Sequence, residues 1–118
     1  MIVSLSHGSK KQLLIGTKGS NVFLLNNGDP IEKAVTVASG HSDGVIWTAA
    51  IGDKFLYTGG EDQRLIKWDF RGSKKAVKEV KCINKIRSMD YNGKSKLLAV
   101  GFTNGQIMFF KADTLDKV

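Results

Sequence analysis

Residues 56–69 read LYTGGEDQRLIKWD, and two other windows of the chain align with this stretch without a gap. They are LLIGTKGSNVFLLN at 13–26 and LAVGFTNGQIMFFK at 98–111, so the windows start 43 and 42 residues apart. Each window opens on apolar or small residues, carries glycine at its fourth position and runs through a polar turn into a second apolar stretch. A fixed period of this length indicates one supersecondary unit that is repeated along the chain.

Each window predicts a β-hairpin, because two short apolar strands flank a turn such as GEDQ or TNG. The apolar stretches IVSLS, VIWTAAI and IRSMDY precede the three windows. The segments EKAVTVAS and KKAVKEVKCI lie between the windows and alternate as half-exposed strands do. The sequence therefore predicts an all-β chain with four strands per unit, in units at 1–39, 40–84 and 85–118. The last unit keeps only TLDKV for its outer strand.

The middle unit, GHSDGVIWTAAIGDKFLYTGGEDQRLIKWD, resembles a WD40 repeat over nearly its full length, with Gly40–His41 at its start and Trp68–Asp69 at its end. The resemblance implies a partial β-propeller of three blades, each of four antiparallel strands, with the third blade truncated. It also implies a hydrogen-bonded network inside the middle blade, which is favourable because a buried imidazole and a buried indole N–H both need partners. The flanking units lack this set, so we expect apolar packing to hold them together. The predicted structural tetrad consists of His41, Thr58, Asp62 and Trp68.

A second resemblance extends across the repeats. The segments QLLIGTKGSNVF, GHSDGVIW and GKSKLLAVGFTNGQIMFFKADTLDKV, in this order, are similar to consecutive blades of the echinoderm microtubule-associated protein-like (EMAP-like) family. The similarity covers most of the chain from Gln12 onward. It implies a cytoplasmic, cytoskeleton-associated scaffold that binds tubulin or microtubules. The alternatives are a generic WD40 adaptor that recognises peptides and an RNA-associated propeller.

Three blades do not close a ring, since propellers have roughly four to eight blades. An open arc of three blades exposes apolar flanks and unpaired strand edges at its two ends. We therefore expect the chain to be either a piece of a larger propeller or a module that self-associates to complete one.

No catalytic constellation is visible in the sequence. The only histidines are His7 and His41, and a nucleophilic pair would have to join Cys82 to His7, which lies in a different unit. One cysteine and two dispersed histidines lack metal-ligand spacing, so we expect no metal site and no cofactor. No apolar run is long enough to predict a membrane span. The sequence predicts a binding surface rather than an enzyme.

The net charge of +7 is concentrated between Arg64 and Lys96, where eleven basic and three acidic residues give +8. We interpret the densest part of this segment as a docking surface for an acidic partner such as the tubulin tails that the resemblance implies. Lysines on an edge strand also keep that edge soluble, and this alternative stays open. Nucleic acid is disfavoured, because no aromatic residues alternate with the basic ones to stack bases. The predicted acidic-partner site consists of Arg71, Lys74, Lys75, Lys78, Lys81 and Lys85.

Overall fold

The computed structural model describes residues 2–7, 12–17, 21–26, 30, 35–39, 46–52, 54–69 and 75–118. The regular secondary structure in these residues is entirely β, as the alternating sequence pattern predicts. The strands are β1 (Ile2–His7), β2 (Gln12–Thr17), β3 (Asn21–Asn26), β4 (Val35–Ser39), β5 (Ile46–Ile51), β6 (Leu56–Gly60), β7 (Arg64–Trp68), β8 (Ala76–Lys81), β9 (Ile86–Asn92), β10 (Leu97–Phe102) and β11 (Ile107–Lys111).

These strands form three antiparallel sheets, and in each sheet the strands pair in chain order. The first sheet contains β1 to β4, the second β5 to β8 and the third β9 to β11, and none of them closes on itself. In the third sheet Lys117 forms an isolated bridge to Phe110, and the Val118 amide donates a hydrogen bond to the Phe109 carbonyl at 2.9 Å. The residues TLDKV therefore pair with β11 at one isolated bridge and form no regular strand.

A β-bulge recurs at the same place in all three sheets. The register shifts between Ile2 and Ser4 in β1, between Ile46 and Thr48 in β5, and between Ile86 and Ser88 in β9. One extra residue therefore stands in each first strand, and a bulge of this kind bends its strand and increases the local twist. Strand β5 lies beside both β1 and β9, so the three bulged strands follow one another across the molecule.

The first three strands of the second sheet, β5 to β7, are mostly buried on both faces. Leu56, Ile66 and Trp68 belong to a cluster on one face, whereas Tyr57 and Leu65 pack on the other face. This division follows from the period of two along a strand, which sends successive side chains to opposite faces. The second face packs against the third sheet through a shared apolar cluster that includes Leu65, Ile86, Leu98, Val100, Phe102 and Phe110.

Among the described glycines, Gly59 is the one at which the second and third sheets approach each other most closely. A Cβ atom built on Gly59 would lie 2.5 Å from Cγ2 of Ile86 and 2.9 Å from its Cβ. No real side chain fits at such a distance, so glycine at this position allows β6 to lie against β9. The repeated glycine of the sequence windows therefore has a packing reason in the second sheet.

Candidate functional site

The predicted tetrad includes one hydrogen bond that the structure describes directly. The indole Nε1 of Trp68 donates to the Thr58 hydroxyl at 2.8 Å, and both residues are buried. Asp62 lies in the turn between β6 and β7, where its carboxylate accepts the Arg64 amide at 3.1 Å. His41 lies outside the described residues, so the closed four-residue network stays a prediction. The burial of the other three residues makes them part of the packing of the second sheet and not a surface site.

The predicted basic surface lies on β8, the outer strand of the second sheet. Arg71 and Lys74 lie outside the described residues, and Lys75, Lys78, Lys81 and Lys85 are exposed. The last of these follows β8 in the loop that leads to β9.

The lysines of β8 do not share one face of the sheet. Lys78 is paired with Lys67, and Lys81 is paired with Arg64, so the two exposed lysines point to opposite sides of the strand. The Lys81 ammonium donates to the Asp62 carbonyl at 2.9 Å, and Arg64 forms a 3.1 Å ion pair with Glu79. The basic residues therefore form a charged ridge along an edge strand, which a partner can approach from both sides.

A pocket of about 320 Å³ lies between the second and third sheets, at the end where β5 turns into β6 and β9 turns into β10. The turn before β6 is closed by a hydrogen bond from the Gly52 amide to the Phe55 carbonyl at 2.8 Å. The Tyr57 hydroxyl donates to the Ala112 carbonyl at 3.0 Å, which ties the second sheet to the segment after β11. The pocket is lined by Lys54, Phe55, Tyr57, Lys67, Tyr91, Lys96, Ala112 and Asp113.

Lys67 is a buried cation in the wall of this pocket, with only 5% of its surface exposed. Its ammonium donates to the Asp113 carbonyl at 2.7 Å and lies 4.1 Å from the centre of the Phe55 ring. The Asp113 carboxylate is 3.7 Å away and its side chain is 93% exposed. The sequence alone indicates no role for Lys67. The available signal was a lysine inside RLIKW, a strand whose other residues are mostly apolar.

A second cation lies on an aromatic ring where β5 and β9 are adjacent. Trp47 and Arg87 are the extra residues of their two bulges, and the Arg87 guanidinium lies 4.9 Å from the centre of the Trp47 ring. A tryptophan within an apolar strand is expected to pack against the neighbouring sheet. The ring is half-buried and does contact the next sheet, but through an exposed arginine.

Cys82 is buried at the end of β8, where its amide donates to the Gln63 carbonyl at 2.7 Å. Burial raises the pKa of its thiol, and the nearby charge of Lys81 offsets part of that rise. A thiol that stays protonated is a poor nucleophile. The environment of Cys82 therefore favours a packing role.

Among the described residues, no three His, Cys, Asp or Glu side chains lie close enough together to hold a metal ion. The described part of the chain also contains no helix with the length and apolar character needed to cross a bilayer. No protein-family model matches the sequence.

Proposed function

We propose that the chain is a non-enzymatic WD40 scaffold module that binds an acidic protein partner through its surface. The resemblance to the EMAP-like family implies that this partner is tubulin or the microtubule. It also implies that the chain acts at the cytoskeleton. The observation that carries the proposal is the succession of three antiparallel meanders whose bulged first strands lie side by side.

This arrangement supports a propeller, because blades are small antiparallel sheets that repeat around a centre. The hydrogen bond between Trp68 and Thr58 supports it further, since it joins β6 to β7 at two positions of the predicted tetrad. Propellers serve many unrelated functions, so the identity of the partner depends on the resemblance and not on the fold.

The charge distribution supports an acidic partner. β8 is an edge strand of the second sheet. Lys78 on this strand, and Lys75 and Lys85 next to it, are exposed. A surface of this charge attracts an acidic chain and increases the rate of encounter, and salt weakens the attraction.

Co-sedimentation with microtubules over a salt series tests the proposal. The chain should pellet with microtubules at low salt and be released as the salt concentration rises. The double reversal Lys75→Glu/Lys78→Glu should abolish pelleting, whereas the matched control Lys111→Glu/Lys117→Glu, also at exposed lysines, should retain it. Failure of the unmodified chain to pellet at low salt would refute tubulin binding, and equal effects of the two variants would refute the role of β8.

A peptide-binding adaptor is the second candidate, and the Arg87–Trp47 pair favours it. An exposed guanidinium held over an aromatic ring offers a fixed cation and an apolar surface to an anionic peptide group. A peptide array probed with the chain and with Arg87→Ala separates this candidate from the first. Peptides that depend on Arg87, together with no microtubule pelleting, would favour the adaptor.

We also propose that a second copy covers the outer face of the third sheet. The register places Ala99 next to Phe109 and Gly101 next to Ile107 on that face, and 67% of Ile107 is exposed. In the alignment of the repeated windows, these four residues correspond to residues of the second sheet on the face that packs against the third sheet: Tyr57, Gly59, Leu65 and Lys67. A further sheet would therefore pack against the third sheet in the way that the third sheet packs against the second.

A further inference from the structure

We propose that the pocket between the second and third sheets binds a glutamate side chain of an acidic peptide segment. This inference rests on the proposed function, because it assumes an acidic protein partner, and it identifies a place where one residue of that partner is held. The site is distinct from the charged ridge on β8.

The charge of the pocket is the first argument. Among the described lining residues, Lys54, Lys67 and Lys96 accompany one acidic residue, Asp113, so this described lining carries a net charge of +2. A buried ammonium requires compensation, because its hydration is lost. In the part of the chain that the structure describes, the carboxylate nearest to Lys67 is that of Asp113, which lies 3.7 Å away and is largely in water, where its attraction is weak. An incoming carboxylate would offset the net positive charge of the described lining.

The shape of the pocket is the second argument. Phe55, Tyr57 and Tyr91 provide apolar walls for the methylene groups of a glutamate, while the lysines provide the charge. Two hydrogen bonds to the segment after β11, from Tyr57 to Ala112 and from Lys67 to Asp113, fix the walls before any ligand arrives. A preformed site loses less entropy on binding. Its volume of about 320 Å³ also lies within the range of pockets that bind small groups, roughly 300–1,000 Å³.

The aromatic rings favour a peptide over a nucleic acid. Single-stranded nucleic acid is held by bases that stack on open aromatic faces. Tyr57 is only 3% exposed, and its ring packs against Tyr91 with the centroids 6.1 Å apart. Tyr57 therefore offers no open face on which a base could stack.

The test uses the full chain and a fluorescein-labelled oligoglutamate peptide, with binding followed by fluorescence anisotropy at low salt. The pocket variant is Lys54→Gln/Lys96→Asn. Asparagine is chosen because Lys96 has a φ of 57°, a backbone conformation that asparagine tolerates. The control variant, Lys75→Gln/Lys78→Gln, removes the same charge from β8. The pocket variant should weaken binding roughly tenfold, as expected for two partly exposed ion pairs, and the control should weaken it by a smaller factor.

The outcomes separate this inference from the proposed function. Loss of oligoglutamate binding in the control alone would overturn the pocket site while leaving the acidic-partner function in place. If the unmodified chain neither binds oligoglutamate nor pellets with microtubules at low salt, both the pocket site and the proposed function are overturned. If labelled oligothymidylate binds as tightly and is weakened equally by the pocket variant, the assignment to a peptide is wrong.

Amide chemical shifts provide a second measurement that does not depend on variants. Addition of oligoglutamate to the unmodified chain should shift the amide signals of Phe55, Lys96 and Asp113 and leave those of Lys78 and Lys85 nearly unchanged. The reverse pattern would place the peptide on β8 and overturn the proposal.

Discussion

Replacing Gly59 by alanine should destabilise the chain through one contact between two sheets. The added Cβ would lie 2.5 Å from Cγ2, 2.9 Å from Cβ and 3.0 Å from Cδ1 of Ile86. Ile86 is fully buried, and its Cβ is fixed to the backbone of β9, so it has little room to move aside. Overpacking of this kind costs about 1–3 kcal/mol. No left-handed backbone conformation is involved at Gly59, so the whole effect is assigned to the clash.

Urea denaturation followed by tryptophan fluorescence measures the free energy of unfolding of the variant. The matched control is Gly93→Ala, where the new Cβ would meet Tyr91 at 3.8 Å, an ordinary contact, and no other described residue within 4 Å. That control should change the stability by less than about 1 kcal/mol. In the double variant Gly59→Ala/Ile86→Ala, the loss should be smaller than the sum of the two single losses, because the smaller side chain removes the clash. A cost below about 0.5 kcal/mol for Gly59→Ala, or additive losses in the double variant, would refute the close-approach argument.

Three further predictions concern other contacts. Thr58→Val removes the acceptor of the buried Trp68 indole and should cost about 1–3 kcal/mol in urea denaturation, whereas Thr58→Ser should keep most of the stability; equal losses would mean that the hydrogen bond contributes nothing. Lys67→Met replaces a buried ammonium by an apolar chain and leaves behind the carbonyl and the carboxylate of Asp113, an exposed residue that water can solvate, so the melting temperature should stay the same or rise, while oligoglutamate binding falls. A lower melting temperature would show that the ammonium stabilises the fold. Ile107→Lys should shift the chain towards monomer in light scattering if a second copy covers the outer face of the third sheet, and an unmodified chain that is monomeric at every concentration would rule out self-association.

The sequence predicted the strands well because their determinants are local. The alternation of apolar and polar residues within 56–69 and 98–111 specifies short strands, and the turns between them consist of residues that favour turns. The hydrogen bond between Thr58 and Trp68 follows from the same local hairpin, since ten residues separate the two side chains in the chain.

The pocket was not predictable, because its parts come from distant segments. Lys67 acquires its partner Asp113 from 46 residues further along the chain, and Tyr57 bonds to a carbonyl 55 residues away. The pairing of Trp47 with Arg87 likewise depends on two bulges in different sheets. No pattern within one repeat specifies where the next sheet will place its backbone carbonyls.

The division of the basic residues follows from strand geometry, and it changes how their charge is to be understood. Counting charge along the sequence treats Lys78 and Lys81 as neighbours, but the period of two places them on opposite sides of β8. Lys78 shares its side of the sheet with Lys67, whose ammonium lines the pocket. Of these two lysines, only Lys78 therefore lies on the same side of the sheet as the pocket. Lys81 faces the other side, so one charged segment of the sequence supplies two different surfaces.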